Sequence, residues 1–383
     1  MANSGRTFRY LIAGPCAAES EAQVYETALR LFVLRDQLPC PLTYFRVGVW
    51  KPRSAADAFC GAGNQAFPWL RRVTEEFGFP VCVEVATPQH VETCLRYGVK
   101  TVWVGARTSV NPFAVQEIAD AVKGNGCSVL VKNPVIPDLK LWLGNIERFE
   151  KAGVDAVFAV HRGFADRKEQ RLRNAPVWEV PVALRVARPE LPLLCDPSHI
   201  AGERGLVKQV AQTAIDYGMD GLMVETHATP EAALSDAAQQ LTPEALSEML
   251  GSLVLKESSQ NPDELLRRQR ELIRDIDGQI ARLLAERLSV VEEIANIKRE
   301  HNIPLVQPSQ WNTVVRNYEQ YALDDPRFAE FLQKYLDLLH QYSLKMQESL
   351  VCQPAARATG TEEHSRCCSG KENGTTPQAI VVV

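Results

Sequence analysis

Short runs of apolar residues alternate with amphipathic segments over the first two thirds of the chain. Eight of these runs are rich in β-branched and aromatic residues, as is typical of short strands buried on both faces. They lie at Arg9–Ala13, Tyr44–Val47, Val81–Val85, Thr101–Val104, Ser128–Val131, Ala156–Val160, Pro192–Cys195 and Gly221–Val224. The pattern therefore predicts eight β-strands.

The segments between the strands have the apolar spacing of amphipathic helices. Helices are predicted at Glu21–Leu34, Gln65–Phe77, Pro88–Tyr97, Pro112–Lys123, Leu139–Ala152 and Leu206–Tyr217. Thr87-Pro88, Asn111-Pro112 and Thr229-Pro230 each place a capping residue before a proline at the first helical position. Eight strand–helix units over about 250 residues predict an α/β fold, a (β/α)8 TIM barrel in residues 1–252. A doubly wound open sheet is the less favoured alternative, because no Gly-rich dinucleotide loop follows the first strand.

The pattern changes to long helices after the barrel. Residues 253–262 are polar and predict a linker, and residues 263–351 predict a small all-α domain of three helices. These helices are expected at Asp263–Arg299, Ser309–Tyr321 and Phe328–Leu350. Residues 352–383 are rich in Gly, Ser, Thr and Glu and have no periodicity, which predicts a disordered tail.

Composition and charge argue against nucleic-acid-binding, membrane-spanning and secreted proteins. The chain has 383 residues, of which 45% are hydrophobic and 23% charged, as is usual for soluble globular proteins. A net charge of −5 argues against a general nucleic-acid binder. No apolar stretch is long enough to span a membrane, and Met1–Arg9 does not resemble a signal peptide, so a cytoplasmic location is expected. The ten cysteines are therefore predicted to be reduced thiols.

Residues capable of chemistry follow every predicted strand, and in a barrel the carboxyl ends of the strands meet at one face. In chain order they are Cys16, Arg46 with Lys51, Glu84, Arg107, Lys132, His161 with Arg162, Asp196 with His199, and Glu225. The cations of this set, together with Arg53, indicate substrates with more than one anionic group, such as phosphates and a carboxylate. A second subset, Cys16, His199, Glu225 and Asp236, offers the mixed ligands that suit a divalent metal acting as a Lewis acid.

Six motifs at these strand ends also carry a family resemblance. They are Gly14-Pro15-Cys16, Lys51-Pro52-Arg53-Ser54, Gly105-Ala106-Arg107, His161-Arg162-Gly163, Asp196-Pro197-Ser198-His199 and Glu225-Thr226-His227. In combination and order they resemble 3-deoxy-D-arabino-heptulosonate 7-phosphate (DAHP) synthases, in the compact branch shared with 3-deoxy-octulosonate 8-phosphate synthases. The resemblance covers nearly all of residues 8–250. It implies condensation of phosphoenolpyruvate with erythrose 4-phosphate, with Mn²⁺ as the expected metal and Fe²⁺, Zn²⁺ or Co²⁺ as alternatives.

The resemblance also implies roles for single residues. Phosphoenolpyruvate would be held by Arg46, Lys51, Gly105, Ala106, Arg107, Lys132 and Arg162. Erythrose 4-phosphate would contact Lys51, Pro52, Arg53, Ser54 and Asp196. The catalytic residues would be Lys51, Glu84, Asp196 and His199. The metal ligands would be Cys16, His199, Glu225 and Asp236. Ser54 replaces the family's usual Thr but keeps the hydroxyl. Arabinose 5-phosphate is a less favoured acceptor, because the octulosonate enzymes carry an Asn-Arg pair in place of this motif.

Polar residues also interrupt the apolar faces of the predicted helical domain. Arg287 occupies a position where the heptad pattern asks for an apolar residue, and Lys298, eleven residues on, shares its face. Ser343 and Gln347 are four residues apart and share a face of the last helix. These residues predict either a buried ion pair or a small polar pocket for a dianion.

Residues 263–350 resemble the all-helical chorismate mutases. The resemblance implies that Arg270, Arg287, Lys298, Gln307, Ser343 and Gln347 bind chorismate and its product prephenate. Arg270 would reach into the site of a partner subunit, so a homodimer formed through this domain, or a tetramer, is expected. Gln307, Gln310 and Trp311 replace an acidic residue and an Arg-Glu pair of the family, which predicts weaker contacts from the second helix.

Together the two resemblances predict a bifunctional shikimate-pathway enzyme that acts on small molecules and binds neither nucleic acid nor membrane. The first predicted strand starts close to Phe8, leaving no room for a regulatory domain before the barrel. Ligands of the helical domain are therefore expected to inhibit the synthase. The alternative is that the helical domain is a non-catalytic module for ligand sensing and dimerisation.

Overall fold

The computed structural model describes residues 8–51, 57–166, 169, 171–255, 264–319 and 326–351. The chain divides into two compact units, Met1–Ser259 and Gln260–Val383. Pro52, Arg53 and Ser54 lie outside the described residues, as do most of the predicted linker and the predicted tail. None of the described helices is long and apolar enough to cross a membrane.

The first unit contains a closed barrel of eight parallel strands that follow one another in chain order. The strands are β1 (Tyr10–Gly14), β2 (Leu42–Val47), β3 (Val81–Val85), β4 (Thr101–Val104), β5 (Ser128–Lys132), β6 (Ala156–His161), β7 (Leu193–Cys195) and β8 (Gly221–Glu225). β8 closes the barrel against β1, from Tyr10 opposite Gly221 to Gly14 opposite Glu225. The predicted strands and the barrel are thus confirmed, and the open-sheet alternative is wrong.

Helices cover the outside of the barrel. They are α1 (Glu21–Val33), α2 (Phe67–Phe77), α3 (Pro88–Arg96), α4 (Pro112–Val122), α5 (Leu139–Lys151), α6 (Glu179–Ala187), α7 (Pro197–Ala201), α8 (Arg204–Asp216) and α9 (Pro243–Gly251). Thr87 and Asn111 cap α3 and α4 through their side chains, as predicted. The helix start predicted at Thr229-Pro230 is wrong, because only a short 3-10 turn, Pro230–Ala232, forms there and Thr229 makes no side-chain cap.

The barrel interior is filled by apolar side chains from alternating positions of the strands, as in other barrels of this type. This inner cluster consists of Ile12, Cys82, Trp103, Leu130, Phe158, Val160, Leu194 and Met223. A second, larger cluster lies between the strands and the helices and includes Cys127 and Cys195. Cys82, Cys127 and Cys195 are buried free thiols, as the sequence predicts.

The described residues of the second unit form the three predicted helices. They are α10 (Glu264–Glu300), α11 (Pro308–Glu319) and α12 (Pro326–Val351). Val291, Ala295 and Leu336 are buried within this unit. Many other apolar side chains of α10 remain exposed, among them Leu272, Ile273, Ile276, Ile280, Leu283, Val290, Ile294 and Ile297.

Candidate active site and metal centre

A cavity of about 330 Å³ opens where the barrel strands end. Its lining combines several cations with carboxylate, imidazole and amide groups. The lining residues are Lys51, Glu84, Gly105, Ala106, Arg107, Lys132, Val135, Arg162, Ala165, Arg173, Asn174, His199 and Asp236. Most of the residues predicted for the phosphoenolpyruvate site therefore meet in one space, although they come from the ends of four different strands, β2, β4, β5 and β6.

Arg46 is the predicted phosphoenolpyruvate residue that does not line the cavity. Its side chain is fully buried, and its Nη2 donates a 2.8 Å hydrogen bond to Glu225 Oε1. Its Nη1 lies 3.7 Å from Asp196 Oδ2. Such pairing is what a buried guanidinium requires. Within the described residues, Nε and Nη1 of Arg46 have no hydrogen-bond partner, so this cation retains unused donors.

Asp196 connects several of the predicted residues. Lys132 Nζ donates a 2.6 Å hydrogen bond to Asp196 Oδ2, and His199 Nδ1 lies 2.8 Å from the same oxygen. Burial alone would raise the pKa of the Asp196 carboxyl, but His199, Lys132 and Arg46 overcome this and hold the pKa well below its usual value. Burial lowers the pKa of Lys132 despite the attraction of Asp196. The carboxylate therefore stays ionised inside the barrel.

Lys51 and Glu84 form a second buried pair at the cavity wall. Lys51 Nζ lies 3.4 Å from Glu84 Oε2. Burial would raise the pKa of Glu84, but the cations Lys51, Lys132 and Arg46 together lower it. A Cβ atom on Gly105 would lie only 2.2 Å from Glu84 Oε1, so any side chain at position 105 would displace this carboxylate. Glycine at this position thus permits the Glu84 geometry.

Arg162 is held by two asparagines. Its backbone N–H donates to Asn133 Oδ1 at 2.7 Å, and its Nη1 donates to Asn174 Oδ1 at 2.8 Å. Asn174 Nδ2 in turn donates a 2.6 Å hydrogen bond to the carbonyl oxygen of His199. Burial lowers the pKa of Arg162 to about 10, so the guanidinium remains charged at neutral pH. Asn174 therefore joins a predicted anion-binding cation to the segment that carries a predicted metal ligand.

Three of the four predicted metal ligands converge. One ligand atom each from Cys16, Glu225 and Asp236 lies within 4.8 Å of the others, and the Cys16 thiol donates to Asp236 Oδ2 at 3.2 Å. His199 is adjacent, with its Nε2 3.7 Å from Glu225 Oε1. Asp236 has a φ angle of 48°, a left-handed conformation that is strained for a non-glycine residue and often marks functional sites.

These donors fit a divalent metal. Thiolate, carboxylate and imidazole are ligands of Zn²⁺, Fe²⁺, Co²⁺ and Mn²⁺ in proteins. Burial and the nearby carboxylates raise the pKa of the Cys16 thiol to about 12. A bound cation would reverse this effect, because a coordinating thiol loses its proton. The residues thus form a cluster of thiol and carboxylate groups whose negative charge a metal ion would neutralise.

Four residues at the site were not identified from the sequence: Arg173, Asn174, Gln239 and Gln240. Arg173 Nη1 donates to Asp236 Oδ1 at 3.1 Å and to Gln239 Oε1 at 2.6 Å. These residues lie in irregular segments after β6 and β8, where hydrophobic periodicity carries no signal. The proximity of Gln239 and Gln240 to Asp236 along the chain was the one available hint.

The helical unit contains a separate polar cluster. Arg287 Nη1 donates to Ser343 Oγ at 2.9 Å, joining α10 to α12. Lys298 Nζ donates to Gln347 Oε1 at 2.9 Å and to the carbonyl oxygen of Leu305 at 2.7 Å. Ser343 and Gln347 are buried, and burial lowers the pKa of Lys298. Arg287 and Lys298 thus donate to neutral groups, and within the described residues no carboxylate pairs with either cation.

The other residues predicted for this cluster lie elsewhere. Arg270 is exposed, and the exposed Gln307 contributes its carbonyl oxygen to the first turn of α11, accepting from the backbone of Gln310 and Trp311. The Trp311 ring stacks on His340 of α12, with ring centroids 4.0 Å apart. Trp311 thus serves helix packing at a position where the sequence shows a departure from the mutase pattern.

Comparison with known proteins agrees with this geometry. Residues 2–260 match the model of the DAHP synthetase I family, and residues 269–348 match chorismate mutase type II. Phospho-2-dehydro-3-deoxyheptonate aldolase of Thermotoga maritima is 28% identical over 246 residues, covering 64% of this chain and 69% of that protein. A 2-dehydro-3-deoxyphosphooctonate aldolase of Wolinella succinogenes is 24% identical over 270 residues, covering 64% of this chain and 97% of that protein.

A solved structure shares the barrel. The crystal structure of DAHP synthase from Thermotoga maritima aligns with a TM-score of 0.55 at 29% identity, covering 63% of this chain and 67% of that one. The family match spans the barrel and its cavity, and the mutase match spans the polar cluster of the helical unit. The chain belongs to the DAHP synthetase I family, and it carries a chorismate mutase type II domain after the barrel.

Proposed function

We propose that the barrel condenses phosphoenolpyruvate with erythrose 4-phosphate to give DAHP and inorganic phosphate. The observation that carries this proposal is the cavity in which Lys51, Arg107, Lys132 and Arg162 surround one space beside Cys16, Glu225 and Asp236. The cations match the phosphate and carboxylate of phosphoenolpyruvate, since guanidinium and ammonium groups bind both.

The two ends of phosphoenolpyruvate would meet different cations. Arg107, Lys132 and Arg162, with the backbone of Gly105 and Ala106, would hold the phosphate. Lys51 would hold the carboxylate, and Arg46, buried behind the cavity lining with Nε and Nη1 lacking hydrogen-bond partners, would add positive charge near it. Because these groups are fixed by Glu225, Glu84 and Asp196 beforehand, little reorganisation is needed when the substrate binds.

In the reaction, the methylene carbon of phosphoenolpyruvate forms a bond to the aldehyde carbon of the sugar. Water then adds at the enol carbon, and the carbon–oxygen bond to phosphate breaks. Glu84 and Asp196 would stabilise the developing positive charge and move protons between water and the leaving groups. A divalent metal held by Cys16, His199, Glu225 and Asp236 would polarise the aldehyde as a Lewis acid. We propose Mn²⁺ for this role, with Fe²⁺, Zn²⁺ and Co²⁺ as alternatives.

The acceptor is proposed to be erythrose 4-phosphate, bound by Lys51, Pro52, Arg53, Ser54 and Asp196. Arabinose 5-phosphate is the competing acceptor, and the similarity to a 2-dehydro-3-deoxyphosphooctonate aldolase makes the comparison necessary. Product formation from phosphoenolpyruvate should be measured with each aldose phosphate. A higher kcat/KM for arabinose 5-phosphate would refute the proposed acceptor.

The helical domain is proposed to rearrange chorismate to prephenate. This reaction requires no nucleophile, only groups that hold two carboxylates and stabilise charge on the ether oxygen. Arg287 and Ser343 would bind a carboxylate, while Lys298 and Gln347 would face the ether oxygen. Arg270 would act in a partner's site, and Gln307 would approach from α11. If chorismate disappears no faster than in buffer, the domain is instead a ligand-sensing module.

Feedback is proposed as a further property of the two-domain chain. Prephenate or chorismate bound to the helical domain would inhibit the barrel. The test compares prephenate inhibition of the full chain with that of a truncated chain ending at Leu255. Inhibition of the full chain alone is expected, and equal inhibition of both chains, or of neither, would contradict the proposal.

The exposed apolar side chains of α10 support association through the helical domain. Ile273, Ile276 and Ile280 repeat at three- and four-residue spacing and are each about half exposed. Exposed apolar stripes of this kind mark interaction surfaces. We therefore propose a homodimer, or a tetramer built from dimers, with a cytoplasmic location that suits the small-molecule substrates.

A further inference from the structure

Two buried glutamines contact the proposed metal ligands or their neighbours. In each, the amide oxygen accepts a hydrogen bond and the amide nitrogen donates one. Gln239 and Gln240 are 1% and 0% exposed. Both lie in the irregular segment that follows Asp236 and precedes α9. Burying an amide is costly unless its donors and acceptor are paired, so the partners of these two side chains are informative.

Gln239 joins two parts of the metal centre. Its Nε2 donates a 2.6 Å hydrogen bond to Glu225 Oε2, and its Oε1 accepts a 2.6 Å hydrogen bond from Arg173 Nη1. The same Arg173 nitrogen donates to Asp236 Oδ1. A guanidinium only donates and a carboxylate only accepts, so these partners fix the orientation of the amide. Gln239 therefore ties the Glu225 carboxylate to the arginine that holds Asp236.

Gln240 connects a third proposed ligand, Cys16, to the same segment. Its Oε1 accepts a 3.0 Å hydrogen bond from the backbone N–H of Cys16, and its Nε2 donates to the carbonyl oxygen of Ser235 at 2.8 Å. Cys16 and Ser235 are more than two hundred residues apart in sequence. Ser235 immediately precedes Asp236, so this amide fixes the distance between the Cys16 and Asp236 backbones.

We propose that Gln239 and Gln240 are positioning residues that set the affinity of the barrel for its divalent metal. Gln239 holds the side chain of Glu225, and Gln240 holds the backbone of Cys16. Neither glutamine is proposed as a metal ligand. Glu225 keeps free lone pairs for a metal, because Arg46 and Gln239 each use one site on a different oxygen. The inference rests on the proposed metal centre and assigns the residues that preorganise it.

The expected effect follows from what outer-shell hydrogen bonds do in metal proteins. Removing such a partner usually weakens metal binding by about 10- to 100-fold. Methionine has nearly the size of glutamine but lacks both amide hydrogen-bonding groups. The variants Gln239→Met and Gln240→Met should therefore bind Mn²⁺ about 10- to 100-fold more weakly than the parent chain.

A matched control is available on α8. Gln212 also uses both ends of its amide, accepting from Val254 N and donating to Val254 O and Asp216 Oδ1. Gln212→Met removes a comparable set of hydrogen bonds away from the cavity and should leave the Mn²⁺ affinity unchanged. This control distinguishes misplaced metal ligands from a general loss of protein stability.

The experiment titrates the metal-free full chain and each variant with Mn²⁺ in competition with a chelator, and records thermal unfolding without metal. Metal binding by both Gln→Met variants within twofold of the parent would overturn the inference. If Gln239→Met or Gln240→Met does not fold, the corresponding Gln→Asn variant replaces it, since a shorter amide cannot keep both contacts.

Two further readouts make the result decisive. At saturating Mn²⁺ the variants should recover kcat to within about threefold of the parent, while an activity loss with unchanged Mn²⁺ affinity would contradict a positioning role. The Cys16→Ser variant tests the centre itself. If Cys16→Ser binds Mn²⁺ as tightly as the parent, or the parent binds none, the proposed metal centre fails and the inference fails with it.

Discussion

The barrel and the helical domain differ in which charged and apolar side chains they bury. The barrel buries charges in pairs, such as Arg46 with Glu225 and Lys132 with Asp196, and it fills its interior with apolar side chains. In the helical unit Leu283 is 63% exposed and Ile273 is 53% exposed. A buried cation in the barrel thus finds its carboxylate within one chain, whereas the helices leave apolar surface that another chain could cover.

This difference has consequences for function. The described part of the barrel site is assembled from many strand ends within one chain. The helical cluster pairs Arg287 and Lys298 with neutral groups, so both cations are free to meet an anionic ligand. Changes in one region should therefore leave the chemistry of the other intact, and the following predictions test this separation.

The largest effect is expected from Lys298→Ala, because Lys298 is proposed to face the ether oxygen, where charge develops in the transition state. Loss of a preorganised donor that stabilises transition-state charge usually costs about 10²- to 10³-fold in rate. Chorismate rearrangement should fall by this amount, while DAHP formation should stay unchanged. Absorbance assays of both reactions provide the measurement, and Arg282→Ala, an exposed arginine on the same helix, is the control. An equal loss in both reactions would show that the two regions are not separate.

A smaller effect is expected from Arg162→Ala in the barrel. A hydrogen bond to a charged group contributes about 1.5–3 kcal/mol, which corresponds to a rise of about 10- to 100-fold in KM for phosphoenolpyruvate. Chorismate rearrangement should not change. Steady-state kinetics measure the effect, with the exposed Arg71→Ala as the matched control. An unchanged KM would remove Arg162 from the substrate site.

Acid stability should depend on His161, which is fully buried among Trp142, Phe164 and Trp178. Burial lowers its pKa from 6.5 to about 3. Between these values the unfolded chain binds a proton that the folded chain does not, so stability is lost as the pH falls below about 6.5. At pH 5 this costs about 2 kcal/mol.

The test is to compare His161→Phe with the parent at pH 7.5 and pH 5. The variant lacks the titrating group, so its free energy of unfolding should improve relative to the parent by about 2 kcal/mol at the lower pH. Chemical denaturation followed by near-ultraviolet circular dichroism would measure this. Parallel pH dependence of the two chains would mean that His161 does not stay neutral.

The smallest effect is expected on self-association. Ile276→Glu places a charge in the exposed apolar stripe of α10 and should weaken the dimer about tenfold or more, equivalent to roughly 1.4 kcal/mol. Val33→Glu, at an exposed apolar position of the barrel, is the control and should have no effect. Analytical ultracentrifugation measures both. A dimer that survives Ile276→Glu but not Val33→Glu would move the interface to the barrel.

The sequence predicts most of the fold because continuous apolar strands and amphipathic helices leave clear periodic signals. It also predicts which strand ends carry the site, since barrel topology brings those ends together. It does not reveal that Arg46 lies outside the cavity lining, because a charged residue within a strand gives no sign of how deeply it is buried. Nor does it reveal Asn174, Gln239 and Gln240, since their contacts join irregular segments far apart in the chain.

Local signals also fail where packing decides the outcome. Thr229-Pro230 has the same dipeptide signature as Thr87-Pro88, yet only the latter begins a helix. The segment after Pro230 instead leads into the loop that carries Asp236 and the two buried glutamines. Its conformation depends on hydrogen bonds to Cys16, just after β1, and to Glu225 at the end of β8, which no short window of sequence contains.

We propose that one chain holds a metal-dependent condensation site and a separate, metal-independent rearrangement site. The most direct measurement assays the full chain for DAHP formation and for chorismate loss, before and after a chelator and again after Mn²⁺ is restored. We predict that the chelator abolishes DAHP formation reversibly and leaves chorismate loss unchanged. Loss of both activities, or survival of both, would show that the two sites do not differ in their need for a metal.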